Sequence, residues 1–143
     1  MSAIVFQLVT DTVSPALKRL ADPALMGRCT LAAATVVSSL GQRAFDETSL
    51  RPTPWAPRAS AKGGNHPLLL KSGTMRQSIF VRQEGNTAAR IGTPVIYGAT
   101  HQLGSKDGKT PARPFFPVLN NALTGNATDM IGEAVGLLIG QAG

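Results

Sequence analysis

Apolar residues recur at helical spacing in three parts of the chain and alternate in a fourth. Met26, Cys29, Ala33, Val36, Val37, Leu40 and Ala44 form one stripe that runs to about Phe45, the mark of a long helix. Asp22-Pro23 supplies its start, an aspartate to accept from the first N–H groups and a proline where a missing N–H costs nothing. Ahead of it, Val13, Ala16, Leu17 and Leu20 make a shorter apolar face that Asp11 or Thr12 can cap, so 11–46 reads as helical. Near the other end, Ile131, Ala134, Val135 and Leu138 repeat the spacing behind Asn126 and Asp129, a capping-box interval, which predicts a last helix over 126–141. Gly132, Gly136 and Gly140 lie four apart on it. Each weakens a helix by about 1 kcal/mol relative to alanine, so close packing against another backbone is expected to compensate.

The middle of the chain reads as sheet. Thr74–Gln83 alternates, with Ile79 and Val81 on one face and Arg76, Ser78, Phe80 and Arg82 on the other. Glu84-Gly85-Asn86 has the composition of a hairpin turn, and Thr87–Thr93 returns with Ala89 and Ile91 inward. Val95–Gln102 follows Pro94 as a third strand and Ala112–Phe116 as a fourth, with a solvated turn at Gly104–Lys109 between them. Pro111 and Pro114 bar a helix there. Ile79, Val81, Ile91 and Val95 are expected to be buried together against Val36, Val37 and Leu40.

Between helix and sheet, Thr48–Pro67 holds Pro52, Pro54, Pro57, Pro67 and Gly63-Gly64 around Trp55. A loop of that length serves a function or moves. Trp55 either plugs the core edge or anchors a neighbouring subunit. Leu68-Leu69-Leu70 is a short apolar turn or helix. The expectation is one α+β domain over 1–143: helices at 11–46, a long loop at 48–67, an antiparallel sheet of about four strands at 74–117, and a C-terminal helix at 126–141.

Composition adds three things. Charged residues are only 15% of the chain, a share low enough to hint at surface covered in an assembly. The net charge of +6 is concentrated, since 51–113 carries ten Lys/Arg against Glu84 and Asp107, an excess of +8. That favours an acidic partner, nucleic acid or protein. Cys29 is the only cysteine, so no internal disulfide or cysteine cluster can form, and a reducing cytosol suits the chain. Met1–Thr10 is apolar without a basic region before it, which argues against a signal peptide, and no apolar run is expected to reach bilayer length, so the expectation is a soluble, intracellular protein with no membrane contact.

No catalytic or cofactor motif fits the sequence. Gly104-Ser105-Lys106-Asp107-Gly108-Lys109-Thr110 approaches a phosphate-binding loop, which needs four residues between the glycines where three stand here. Pro111 follows at once, where that loop would open a helix. His66 and His101 are the only imidazoles and lack a second ligand at metal spacing. No Gly-x-Ser-x-Gly elbow occurs. Cys29 sits on the helical stripe as a small core residue. The reading is therefore no enzyme, no cofactor and no metal.

Tyr97-Gly98-Ala99-Thr100-His101-Gln102-Leu103-Gly104 followed by Pro111-Ala112-Arg113-Pro114-Phe115-Phe116-Pro117 resembles the phage virion morphogenesis (tail completion) family of tailed bacteriophages. Trp55, the Leu69–Met75 block with Ser78-Ile79, and Ile91-Gly92-Thr93 fall in the family's order, so the resemblance spans about Phe45 to Val118. It implies a virion protein, assembled in the host cytoplasm, that completes the tail or neck and joins head to tail. It further implies a homo-oligomeric ring, commonly of six subunits, around the DNA channel, with head–tail or tail-tube proteins as partners and genomic DNA close by. Candidate contact residues are then Trp55, Tyr97, His101, Gln102, Lys106, Lys109, Arg113, Phe115 and Phe116. Phe115 and Phe116 are adjacent in an extended chain, so one is expected inward and the other left for a neighbouring subunit or an elongated edge of the core. Arg113 either pins its own hairpin or contributes to the ring contact. The alternative, a basic nucleic-acid-binding module, rests on the +8 excess, though the chain shows neither aromatic stacking platforms nor an Arg/Lys-rich reading helix.

Overall fold

The computed structural model describes residues 4–9, 22–57 and 73–142. The helix expected at 11–20, the Leu68–Leu70 turn and the second half of the proline-rich loop, with His66, lie outside them.

Strand β1 (Ile4–Val9) comes first, followed by helix α1 (Pro23–Arg43) and a 3-10 turn at Thr48–Leu50. One helical turn, α2 (Thr74–Gln77), leads into β2 (Phe80–Glu84) and β3 (Ala88–Thr93). Helix α3 (Gly98–Leu103), the short strands β4 (Val118–Leu119) and β5 (Ala122–Leu123), and helix α4 (Gly125–Ala142) complete the order. The α+β class holds, with a long N-terminal and a C-terminal helix beside an antiparallel sheet.

The sheet runs β1-β3-β2, with Ile4 opposite Thr93 and Phe80 opposite Gly92. Its edge beside β3 is therefore held by the first residues of the chain, and not by Val95–Gln102. After Pro94 the backbone turns: Thr93 Oγ1 accepts from the Val95 N–H at 3.2 Å, and Gly98 N–H donates to the Val95 carbonyl at 3.0 Å. That turn ends the strand direction and starts α3. Glycine is needed at 98, because a Cβ there would stand 2.7 Å from the buried Thr93 Cγ2.

Two other expected strands change. Thr74–Gln77 is helical, entered through Gly73 at φ +71°, and the strand begins only at Phe80. Ala112–Phe116 is extended but joins no ladder. A hairpin follows it instead, β4–β5, turned by Asn120 and Asn121 at φ +52° and +62°. Asparagine tolerates that left-handed geometry, which two-residue hairpin turns require. The Gly85 turn, at φ +73°, and the inward Ala89 and Ile91 stand as expected.

Asp22 caps α1 as expected, its Oδ1 accepting from the Ala24 N–H at 3.0 Å. One side of α1 lies on the sheet: Thr30 Oγ1 donates to the Asn86 carbonyl at 2.7 Å, and Gln83 Nε2 to the Gly27 carbonyl at 2.8 Å. Val37, Leu40, Ile79 and Ile91 are buried as expected, while Val36, Val81 and Val95 are only half-buried. A second flank of α1, with Leu25 and Cys29, meets Val135, Ile131 and Leu138 of α4. Burial there raises the Cys29 thiol above its ordinary range and keeps it a thiol. By length and composition α1 could cross a bilayer, contrary to the sequence expectation, but half of that stretch is buried against the sheet and α4.

Helix α4 is capped by Thr124, whose Oγ1 accepts from the Ala127 N–H at 3.3 Å, and Asn126 stands inside its first turn. The glycine stripe packs on none of the described residues: a Cβ at Gly132, Gly136 or Gly140 would meet nothing of them within 4 Å.

Candidate functional site

The family-like segments converge on one aromatic cluster. Phe45 at the end of α1 stands 5.2 Å, ring to ring, from Phe115 and edge-on to Trp55 at 5.9 Å. Phe116 lies tilted against Phe115, ring centres 4.6 Å apart, and meets Phe6 of β1 edge-on at 5.2 Å. Both phenylalanines of the pair are fully buried, so of the two places expected for the second ring the core holds it and the one left for a neighbouring subunit is corrected. The expectation assumed a flat strand. The chain bends at Phe116-Pro117 instead, and both rings turn inward.

Gln102 makes the bend possible. Its Oε1 accepts from the N–H groups of Phe115 and Phe116, each at 3.0 Å, and its Nε2 donates to the Phe116 carbonyl at 3.3 Å. One amide side chain thus does the work of a missing neighbouring strand, satisfying buried donors that would otherwise be costly. Because α3 is a helix, Gln102 points inward while Leu103 next to it points out.

Trp55 plugs the core edge. Its indole N–H donates to the Pro114 carbonyl at 2.7 Å, and the Arg51 guanidinium lies 3.7 Å over its ring. Arg51 is itself held by the carbonyls of Ala44 and Phe45, at 2.7 and 3.1 Å. Arg113 ties the same loop from the other side, Nε to the Ala56 carbonyl at 2.9 Å and Nη2 to the Pro57 carbonyl at 3.0 Å. Its own N–H donates to the His101 carbonyl at 2.6 Å, joining the segment to α3. His101 is half-buried, edge-on to Tyr97 at 5.7 Å, with Nδ1 unpartnered among the described residues. Burial, helped by the Arg113 charge, holds its pKa below the usual imidazole value.

The tip that follows α3 is a self-bonded loop. Asp107 Oδ1 accepts from Ser105 Oγ at 2.6 Å and from the Lys109 N–H at 3.0 Å, and the Thr110 N–H donates to Ser105 Oγ at 2.9 Å. These bonds hold the Asp107 carboxyl below the ordinary range. Lys106 and Lys109 extend into solvent. The nine candidates therefore divide. Trp55, Gln102, Phe115 and Phe116 are interior, His101 and Arg113 are half-covered, and Tyr97, Lys106 and Lys109 are at the surface.

Around α3 the structure exposes two apolar side chains that sequence reading missed, Ile96 at 61% and Leu103 at 71%, beside Tyr97 at 47%. A strand over Val95–Gln102 gives no reason to expect Ile96 outside, whereas here Ile96 lies in the turn before α3 and Leu103 at its end. Among the described residues no three His, Cys, Asp or Glu side chains stand together as metal ligands.

The model of the phage virion morphogenesis family matches residues 4–134, so the chain belongs to that family, whose members take part in building the virion of a bacteriophage. No curated protein and no solved structure gave a match.

Proposed function

We propose that this phage virion morphogenesis protein acts by binding geometry alone, completing the tail or neck and joining head to tail as a homo-oligomeric ring of six subunits around the DNA channel. The observation that carries it is the exposure of three apolar side chains at the two ends of α3, Ile96 and Tyr97 before it and Leu103 at its close, followed along the chain by the exposed Lys106–Lys109 tip. Large apolar side chains left exposed around one short helix mark a place where another protein sits. Gln102, Trp55 and Arg113 tie α3, the proline segment and the loop after α1 into one unit. Tyr97, Lys106 and Lys109, with the partly exposed edges of His101 and Arg113, then form the contact with a neighbouring subunit or a tail-tube or head–tail protein. Nothing in this reading calls for a catalytic group or cofactor.

Mass photometry and negative-stain images of the purified protein without DNA test it. Rings are expected. A monomer at every concentration, together with salt-sensitive binding of duplex DNA, would favour the nucleic-acid-binding reading suggested by the basic centre.

A further inference from the structure

Among the described residues, two faces on which no described element packs substantially match each other in charge and in spacing. The first is the sheet face turned away from α1. On it, β1, β3 and β2 contribute two rows by register: Val5, Gly92 and Phe80, then Gln7, Arg90 and Arg82. Among the described elements, α1 is the one that packs substantially on the sheet, and it covers the opposite side. The first row is flat and apolar, because Gly92 has no side chain and Val5 Cγ2 leans to 3.1 Å from where its Cβ would be. The second row sets two arginines directly opposite each other, an unfavourable arrangement in a sheet. One carboxylate serves both: Glu84 Oε1 lies 2.6 Å from Arg90 Nε and 3.6 Å from Arg82 Nη2. One positive charge is left over, and the Arg82 side chain is 66% exposed.

The second face is the outer side of α4, a shallow open groove of Gly132, Glu133, Gly136, Leu137 and Gly140. Leu137 is 69% exposed. Residues 118–143 hold Asp129 and Glu133 and no Lys or Arg, and neither carboxylate has an ion-pair partner among the described residues. The three glycines leave no side chain in the way, so a flat surface can approach the helix backbone closely.

We infer that α4 of one copy docks by this outer side on the open sheet face of the next copy. Glu133 meets Arg82 and Arg90, Leu137 lies on Val5 and Phe80, and the glycines face the flat row. The spacing fits. Glu133 and Leu137 are one turn apart, about 6 Å at 1.5 Å per residue. The arginine row and the Val5–Phe80 row are two residues apart, about 6.8 Å along a strand. The two faces differ, so the contact is head-to-tail and closes into a ring when the rotation between copies closes. This rests on the reading above that copies of the chain assemble, and adds which faces meet; the Tyr97 patch is then free for a different virion protein.

The test uses full-length protein in mass photometry and sedimentation, with circular dichroism as the folding control. Glu133→Arg and Gly136→Trp are expected to weaken self-association at least tenfold while leaving the subunit folded, since both positions are exposed. Combining Glu133→Arg with Arg82→Glu should restore most of the loss. If wild type assembles and all of these variants assemble like it, the docking is overturned and the assembly reading stands. A wild type that never assembles overturns both. If Arg82→Glu instead abolishes duplex DNA binding without changing self-association, the sheet face is a nucleic-acid surface and the docking is overturned.

Discussion

Gln102 both takes from and gives to the backbone of Phe116, its Oε1 accepting the N–H at 3.0 Å and its Nε2 donating to the carbonyl at 3.3 Å. The same oxygen serves Phe115. Gln102→Leu keeps the side chain's bulk and removes all three bonds. Two N–H groups in the core then lose their acceptor, at about 1–3 kcal/mol each. The expected result is a stability loss on the order of 3 kcal/mol by urea denaturation, with the aromatic cluster loosened. A loss below about 1 kcal/mol would mean that water reaches those groups and that the clamp is dispensable.

Leu40 is 1% exposed on α1. Leu40→Ala leaves a cavity as well as removing apolar contact, so a loss of about 2–5 kcal/mol is expected in the same assay. A far smaller value would show that α1 collapses into the gap.

What the sequence reveals here divides by the range of the signal. The start of α1 could be read because Asp22 and Pro23 act on their own helix, and the Gly85 turn because its signal lies within three residues. The sheet edge could not. The partner of β3 is β1, and nothing near Ile4 says that it will pair with Thr93 at the far side of the chain. Val95–Tyr97 is apolar enough for a strand, and what diverts it is a side-chain hydroxyl on Thr93 and the room left by a glycine at 98. For the candidate site, the segments that stand out in the sequence converge in the fold, and four of the nine candidate residues turn out to be interior. Trp55, Gln102, Phe115 and Phe116 are conspicuous because they hold the segments to one another. Leu103 is exposed because α3 is a helix, and Ile96 because it lies in the turn that opens it.

His101 should make stability depend on pH. Its folded pKa lies below the unfolded value of about 6.5, because burial and Arg113 disfavour the imidazolium. Well above about pH 6.5 it is neutral in both states and adds no slope. As pH falls through the window between the two values, the unfolded chain takes up the proton more readily and stability drops. Melting temperatures from about pH 5 to 7.5 should therefore fall toward acid less steeply in His101→Gln than in wild type. Parallel curves would place the titration in other groups.

The Ser105–Thr110 tip is bonded through Ser105 and Asp107, and Lys109 takes part only by its backbone N–H. Lys109→Ala should leave the melting temperature unchanged within about 1 °C, as a surface substitution away from caps and packing does. Asp107→Ala removes the acceptor of two bonds and should open the tip to proteolysis. Intact tips in both variants would show that Gly104 and Gly108 fix the loop by backbone alone.

Arg113 gives the last prediction, because it decides how the loop after α1 is held. Its guanidinium reaches two consecutive carbonyls, of Ala56 and Pro57, while Trp55 one residue earlier is fixed to the Pro114 carbonyl. The loop and the proline segment are thus joined on both sides of one peptide pair. Lysine carries the same charge but is a point donor, and it cannot span two carbonyls with a planar fork. Arg113→Lys should therefore cost about 1 kcal/mol, the worth of one hydrogen bond in a partly solvated place. Trp55 is the only tryptophan in the chain, so its emission reports on this joint directly. A red shift and easier quenching by iodide are expected in the lysine variant, with the aromatic core otherwise kept. Wild-type emission and stability combined with a lost oligomer would reassign Arg113 from pinning its own loop to binding a neighbour.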